Sequence, residues 1–336
     1  MTPKKILIIF LCLLAAILIG SHLLISSAPP RKPELFGVTF SKPFAEKFGV
    51  DWRENYLAIF EDLGIRDIRI PAYWNDVEPE KGKWNFNDID WQIEKANEYG
   101  AKVILAVGRK LPRWPECHEP EWVESYEIGT RKFTSPDLVE YIRKVVERYK
   151  DNPAIWAWQV ENEPFLPFGE CPLLGGDVLD EEIALVRVLS DKPIIVTDSG
   201  EFGRWFSAAK RADIFGSTLY RHVYTKSIGH FTYPLPPSFF RLKQGLVKLF
   251  YGDKPMIVVE LQAEPWLPKM LYETSPEEQF KHFGPERFKK MLEYIRGSGF
   301  DTFYFWGVEW WWWLKTQNKP EMWNLAKEAI RSIDAK

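Results

Sequence analysis

The chain has 336 residues, with 44 Lys+Arg against 47 Asp+Glu and a formal net charge of −3. That balance lacks the basic excess of a nucleic-acid binder, and 46% hydrophobic with 27% charged residues excludes a disordered chain. Aromatic residues reach 15% and include 16 Trp, all after residue 50, more than a core needs and suited to flat platforms for sugar rings.

Lys4 and Lys5 precede an uncharged apolar run, Ile6 to Ile25, long enough to cross a hydrocarbon layer as a helix. The two lysines predict a cytoplasmic N-terminus with the remainder exported. Residues 1–28 are therefore expected to be a signal anchor. A cleaved signal peptide is the alternative, with Ser26-Ser27-Ala28 as a small-residue cleavage site. Residues 29–34 read as a short stiff Pro-bearing linker, and 35–336 as one folded domain, extracytoplasmic and either tethered or secreted. Outside the cytoplasm Cys117 and Cys171 can pair; two free thiols is the other reading.

From residue 35 onward, short β-branched runs alternate with amphipathic segments. Strands are predicted at 35–40, 65–71, 102–108, 155–161, 193–198, 213–220, 255–260 and 302–307. Several are apolar on nearly every residue, as strands covered on both faces are. Helices are predicted near 52–63, over Ile89, Ile93 and Ala96 with closure at Gly100, from Ser135-Pro136, and near 180–190, 205–211 and 239–251. Ser275-Pro276-Glu277-Glu278 is a capping box, followed by helices near 286–296 and 320–334. Eight β–α units predict an α/β fold, a single closed (β/α)8 barrel. No Gly-rich phosphate loop follows the first strand, as an open nucleotide-binding sheet would require. Residues 221–238 form a long aromatic insertion after the sixth strand, a candidate cleft wall.

In such a barrel the site lies at the C-terminal strand ends, and these are polar: Arg69, Glu161-Asn162-Glu163, Tyr220, Glu260 and Trp306. A glycosidic bond is cleaved by two carboxyl groups flanking the anomeric carbon, one protonated and one ionised. The fourth and seventh strands face each other across the mouth and each ends in Glu.

Asn162-Glu163-Pro164 after an apolar strand, with Glu260 closing another 97 residues later, resembles clan A of the glycoside hydrolases. The segment 68–90 is similar to the second-strand region of that clan, and ELQAEPW (260–266) to the nucleophile region of family 42 beta-galactosidases. The likeness spans about residues 35–315. It implies a retaining glycosidase that cleaves a beta-linked sugar in an oligo- or polysaccharide by double displacement, without metal or organic cofactor. Glu163 would be the acid/base and Glu260 the nucleophile. Asn162 would hold the sugar 2-hydroxyl, Arg69 would keep Glu260 ionised, Tyr220 would hydrogen-bond it, and Trp306 would floor the site.

Each assignment has a competitor. Glu161 shares the strand parity of Glu163, and Glu264 competes with Glu260 from four residues into the loop. Asn162 could be a turn residue, Arg69 a structural ion-pair partner, and Tyr220 simple packing. Trp114 is a candidate platform after the third strand. His118, His222 and Glu309 are candidate hydroxyl contacts, and Glu78 is expected to tie down its own loop. Of the run Trp310 to Trp313, two or three are expected to pack on the barrel rim. A non-catalytic carbohydrate-binding barrel and a transglycosylase would use the same residues; a two-metal hydrolase would need a His cluster that the site strands lack.

Overall fold

The computed structural model describes residues 30–123, 135–171, 173 and 175–334. The expected N-terminal anchor or signal helix lies outside the described residues. Among those described, no helix is long and apolar enough to cross a membrane.

Eight parallel strands close into a barrel: β1 (Leu35–Thr39), β2 (Asp67–Pro71), β3 (Lys102–Val107), β4 (Ile155–Val160), β5 (Ile194–Asp198), β6 (Ile214–Leu219), β9 (Met256–Gln262) and β10 (Thr302–Trp306). Their circular order is β1-β10-β9-β6-β5-β4-β3-β2. All eight predicted strands are present. Their two apolar faces serve two cores. Ile104, Ala157, Ile195, Ile257, Val259 and Tyr304 point inward and fill the barrel below its mouth. Val103, Leu105, Val196, Val258 and Phe303 point outward beneath the helices. This is the side-chain alternation of a pleated strand used on both faces.

One departure from alternation positions the site. Ser217 and Thr218 on β6 are partnered by Val258 and Glu260 on β9. Phe303 and Phe305 on β10 are partnered by Val258 and Leu261. Both neighbours thus record one extra residue in β9, a β-bulge, which re-aims the side chains beyond it. Strict alternation would give Glu260 the outward direction of Val258. With the bulge it turns to the mouth.

The helices follow their local signals. Ser275 Oγ accepts from Glu278 N at the start of helix Pro276–His282. Helix Pro136–Tyr149 begins at a proline and turns Leu138, Ile142, Val145 and Val146 to the core. The insertion after β6 holds an antiparallel hairpin, β7 (His222–Thr225) with β8 (Gly229–Thr232). The Trp run lies on helix Val308–Thr316, with Trp310 and Trp311 fully buried and Trp312 and Trp313 partly covered on the rim.

Candidate active site

The strand ends converge on Arg69, whose guanidinium is fully buried and uses every nitrogen. Nε donates to Gln159 Oε1 (2.7 Å), Nη1 to Glu260 Oε1 (2.9 Å) and Nη2 to Asn162 Oδ1 (2.7 Å). One fixed fork therefore ties β4 to β9 across the barrel. Tyr220 Oη donates to the other oxygen of Glu260 at 2.9 Å. An ionised carboxylate, acceptor at both oxygens, satisfies both donors.

Glu163 lies beyond the end of β4, where the backbone takes two left-handed turns, φ 58° at Glu161 and 43° at Glu163. Such φ values are uncommon for a side-chain-bearing residue, and specific bonds hold both. Thr197 Oγ1 accepts from Glu163 N (2.8 Å), and Lys110 Nζ donates to Glu163 O (3.0 Å). Thr218 Oγ1 donates to Glu163 Oε1 at 3.2 Å. Since Thr218 is the ladder partner of Glu260, it links the two carboxyl groups. Burial, then the Glu260 and Glu116 carboxylates, push the Glu163 carboxyl well above its ordinary range.

The competing carboxylates are otherwise occupied. Glu161 accepts from Arg109 N and Lys110 N, each at 2.7 Å, and so shapes the turn after β3. Glu264 bonds Arg113 Nη1, while Arg113 Nη2 donates to Glu309 Oε2 at 2.7 Å. Glu309 also accepts from Ser41 N at 2.6 Å. Arg113 lies 3.9 Å over the ring centroid of Trp306, so one face of the expected floor is covered. Trp114 is half-exposed and meets Phe168 edge-on; Phe168 meets Trp266, which in turn meets Tyr220. These four rings form an aromatic wall that ends at the Glu260 partner.

His118 lies against Tyr73 with the rings tilted by 42°, its Nε2 3.1 Å from Arg113 O, and supports the Arg113 turn. His222 sits in the hairpin with Nδ1 2.8 Å from Thr232 Oγ1. Glu78 holds Trp74 Nε1 (2.9 Å) and Gly82 N (2.8 Å), the loop role expected of it. Cys117 and Cys171 form a disulfide that joins the loops after β3 and β4.

Several groups at the site escaped the sequence reading. Glu116 is buried beside the pair, with Asn162 Nδ2 at 3.4 Å and Lys110 Nζ at 3.9 Å. Burial raises it to about 8, against the pull of Lys110. It sits in an irregular loop with positive φ, where no periodicity marks an inward side chain. Thr218 could have been found by its parity with Tyr220. Gln159, two residues before Glu161 on β4, carries the same signal.

Residues 46–171 match a family described as beta-galactosidase, glycoside hydrolase family 42. The chain is 35% identical over 122 residues to beta-galactosidase BbgII of Bifidobacterium bifidum, covering 32% of this chain and 18% of that one. It is 27% identical over 135 residues to beta-galactosidase BgaH of Haloferax lucentense, covering 36% and 20%. The chain thus spans about a fifth of the length of these relatives. Solved structures share the barrel. A GH5_18 protein from Bifidobacterium longum aligns with TM-score 0.57 at 16% identity, over 81% of this chain and 69% of that one. An exo-beta-1,4-mannosidase, Op5Man5, from Opitutaceae bacterium strain TAV5 aligns with TM-score 0.57 at 13% identity, over 91% and 61%. Site motifs, family match and closed parallel barrel together bear out the resemblance to the clan A glycoside hydrolases.

Proposed function

We propose that the protein is a retaining beta-glycosidase, exported or held at the outer face of the membrane, that acts on an oligo- or polysaccharide. The observation that carries this reading is the Arg69 fork, which ties Glu260 to the Asn162-Glu163 turn at one barrel mouth. The partial beta-galactosidase family match supports it, and makes a beta-galactoside the first substrate to try.

Glu163 carries the proton and gives it to the leaving oxygen as the bond from that oxygen to the anomeric carbon breaks. Thr218 donates to Oε1 of Glu163, which leaves Oε2 to hold the proton. Glu260 attacks the same carbon and forms the glycosyl ester. Water, deprotonated by Glu163, then displaces Glu260 and restores both groups. Arg69 and Tyr220 fix the Glu260 oxygens during attack. Asn162 turns its amide oxygen to Arg69, so Nδ2 is the donor offered to the sugar 2-hydroxyl. The wall from Trp114 to Trp266 is the platform for further sugar rings.

Two variants test the assignment. Glu260→Gly should lose turnover of an activated aryl beta-glycoside by several orders of magnitude and regain part of it with azide. Glu163→Ala should lose much less on substrates with good leaving groups than on those with poor ones. Undiminished turnover by Glu260→Gly, or equal losses whatever the leaving group for Glu163→Ala, would overturn the roles. Product anomers followed by NMR report retention directly.

A further inference from the structure

The end of the barrel opposite the catalytic mouth carries an exposed apolar cluster. Helix Ser238–Tyr251 runs back from the mouth and ends before β9. Its last turns present Leu249 (75% exposed), Phe250 (63%), Leu246 (38%) and Tyr251 (37%). Helix Gly176–Leu189 ends on the same side before β5 and presents Val188 at 83%. The short helix Phe206–Arg211 packs between these two helices, and its Phe206 meets Phe250 edge-on. Isolated exposed apolar residues need no explanation, but a cluster at one end of a barrel does.

The entering chain reaches the same end. Arg31 donates its backbone N–H to Arg296 O at 2.8 Å and pairs with Asp301 at 2.6 Å. Glu34 N bonds Asp301 O, also ahead of β10. The loop that holds Arg31 is bound in turn to the helix bearing the cluster, through Gln244 Nε2 and Ser298 O at 2.9 Å. Arg31 is therefore pinned to the floor of the barrel, beside the cluster and away from the mouth.

The apolar run Ile6 to Ile25 is the segment whose sequence predicts a membrane-crossing helix. Only residues 26–30 separate it from Arg31. Six links of fully extended chain reach at most about 20 Å. The tether is thus no longer than the wall helix Ser238–Tyr251, 14 residues at about 1.5 Å each, and the mouth loops rise beyond that helix, so a barrel held at Arg31 does not turn its mouth to the bilayer.

We propose that the floor of the barrel is a membrane-docking face: Val188, Leu246, Leu249, Phe250 and Tyr251 enter the lipid interface while the catalytic mouth points away from it. The occupant is a phospholipid surface. Apolar side chains at a helix end, held close by a short tether, gain by partitioning into the headgroup boundary. Substrate then reaches the mouth from the aqueous side, as a soluble glycan or a polymer outside the membrane.

The test uses the full chain, with Cys12→Ser, reconstituted in phosphatidylcholine–phosphatidylglycerol vesicles. Phe250→Cys or, on the mouth-side hairpin, Ile228→Cys carries a fluorescent label, and lipids with spin-labelled acyl chains act as quencher. Both positions are exposed, so neither variant threatens the fold. Quenching several-fold greater at 250 than at 228 is the expected result. Equal quenching at the two positions, or greater quenching at 228, overturns the docking face. Failure of the full chain to float with the vesicles overturns it at the tether. A label at 250 shielded from lipid in a chain that runs as a dimer in detergent overturns it in favour of a second copy on that face.

Discussion

Arg69 holds Gln159, Glu260 and Asn162 with one rigid fork, and no other side chain can do so. Lysine would bring a single ammonium on a flexible stem, enough to meet Glu260 or Asn162 but not both. Arg69→Lys is therefore expected to fold and to lose about a hundredfold in kcat, the scale of a misplaced reacting group. An unchanged kcat would leave the fork a merely structural link. Glu116 acts on the other side of the pair. Its carboxylate is one of the charges that raise Glu163, together with burial and Glu260. Glu116 itself faces Lys110, Asn162, Glu260 and Arg69. Above about pH 8, where Glu116 is ionised, Glu116→Gln removes a negative charge beside Glu163, so the Glu163 carboxyl should ionise at lower pH. The alkaline limb of kcat/KM should then move acidward by about half a unit or more. A limb that stays in place would show that Glu116 does not reach Glu163 electrostatically.

At the scale of elements, the rim helix Val308–Thr316 is as much part of the site as the strand ends. Trp311 is fully buried and donates its Nε1 to Ala263 O at 2.8 Å, so it holds the chain between Glu260 and Glu264. Trp311→Ala should cost about 3–5 kcal/mol of stability, as large-to-small core changes do. It should also raise KM by loosening the Arg113–Glu264–Glu309 group, in contrast to an equally destabilising change elsewhere in the core. Thermal denaturation and steady-state kinetics on the same preparation separate the two effects. This helix was hidden in the sequence because Trp310 to Trp313 cover all its faces and leave no period. The hairpin β7–β8 was hidden for the opposite reason: β8 alternates between half-buried and exposed and has no apolar face. The barrel strands were legible because runs such as Val103 to Val107 are apolar toward both cores. Arg69, Asn162, Glu163, Tyr220 and Glu260 were legible because each ends or follows such a run. What alternation could not supply was the bulge that turns Glu260 inward, since it depends on β6 and β10 as much as on β9. Glu116 could not be read at all, because its direction is set by the packing of two disulfide-joined loops.

For the molecule as a whole, a mouth built from buried acids ties stability to pH. Burial raises Glu116 to about 8 and Glu264 to about 7, the latter despite Arg113 beside it. Burial also raises Glu182 well above its ordinary range, with Glu161 as its charged neighbour. In the unfolded chain these groups ionise near about 4.3. Between that pH and 7–8 the native state holds more protons than the unfolded one, so stability falls as pH rises. Each excess native proton costs about 1.4 kcal/mol per pH unit across that window. His118 and His222 work the other way: burial lowers both to about 4. They favour the native state once neutral, and their contribution is lost as pH falls from about 6.5 toward 4. The melting temperature is therefore expected to peak on the mildly acidic side, to drop by several degrees from pH 6 to pH 8, and to level off beyond. Glu116→Gln removes one of the protons involved and should make the alkaline slope shallower without moving the acid one. A melting temperature that rises from pH 6 to pH 8, or a Glu116→Gln slope identical to that of the parent, would mean that the native mouth admits enough water to ionise these acids at their ordinary pH.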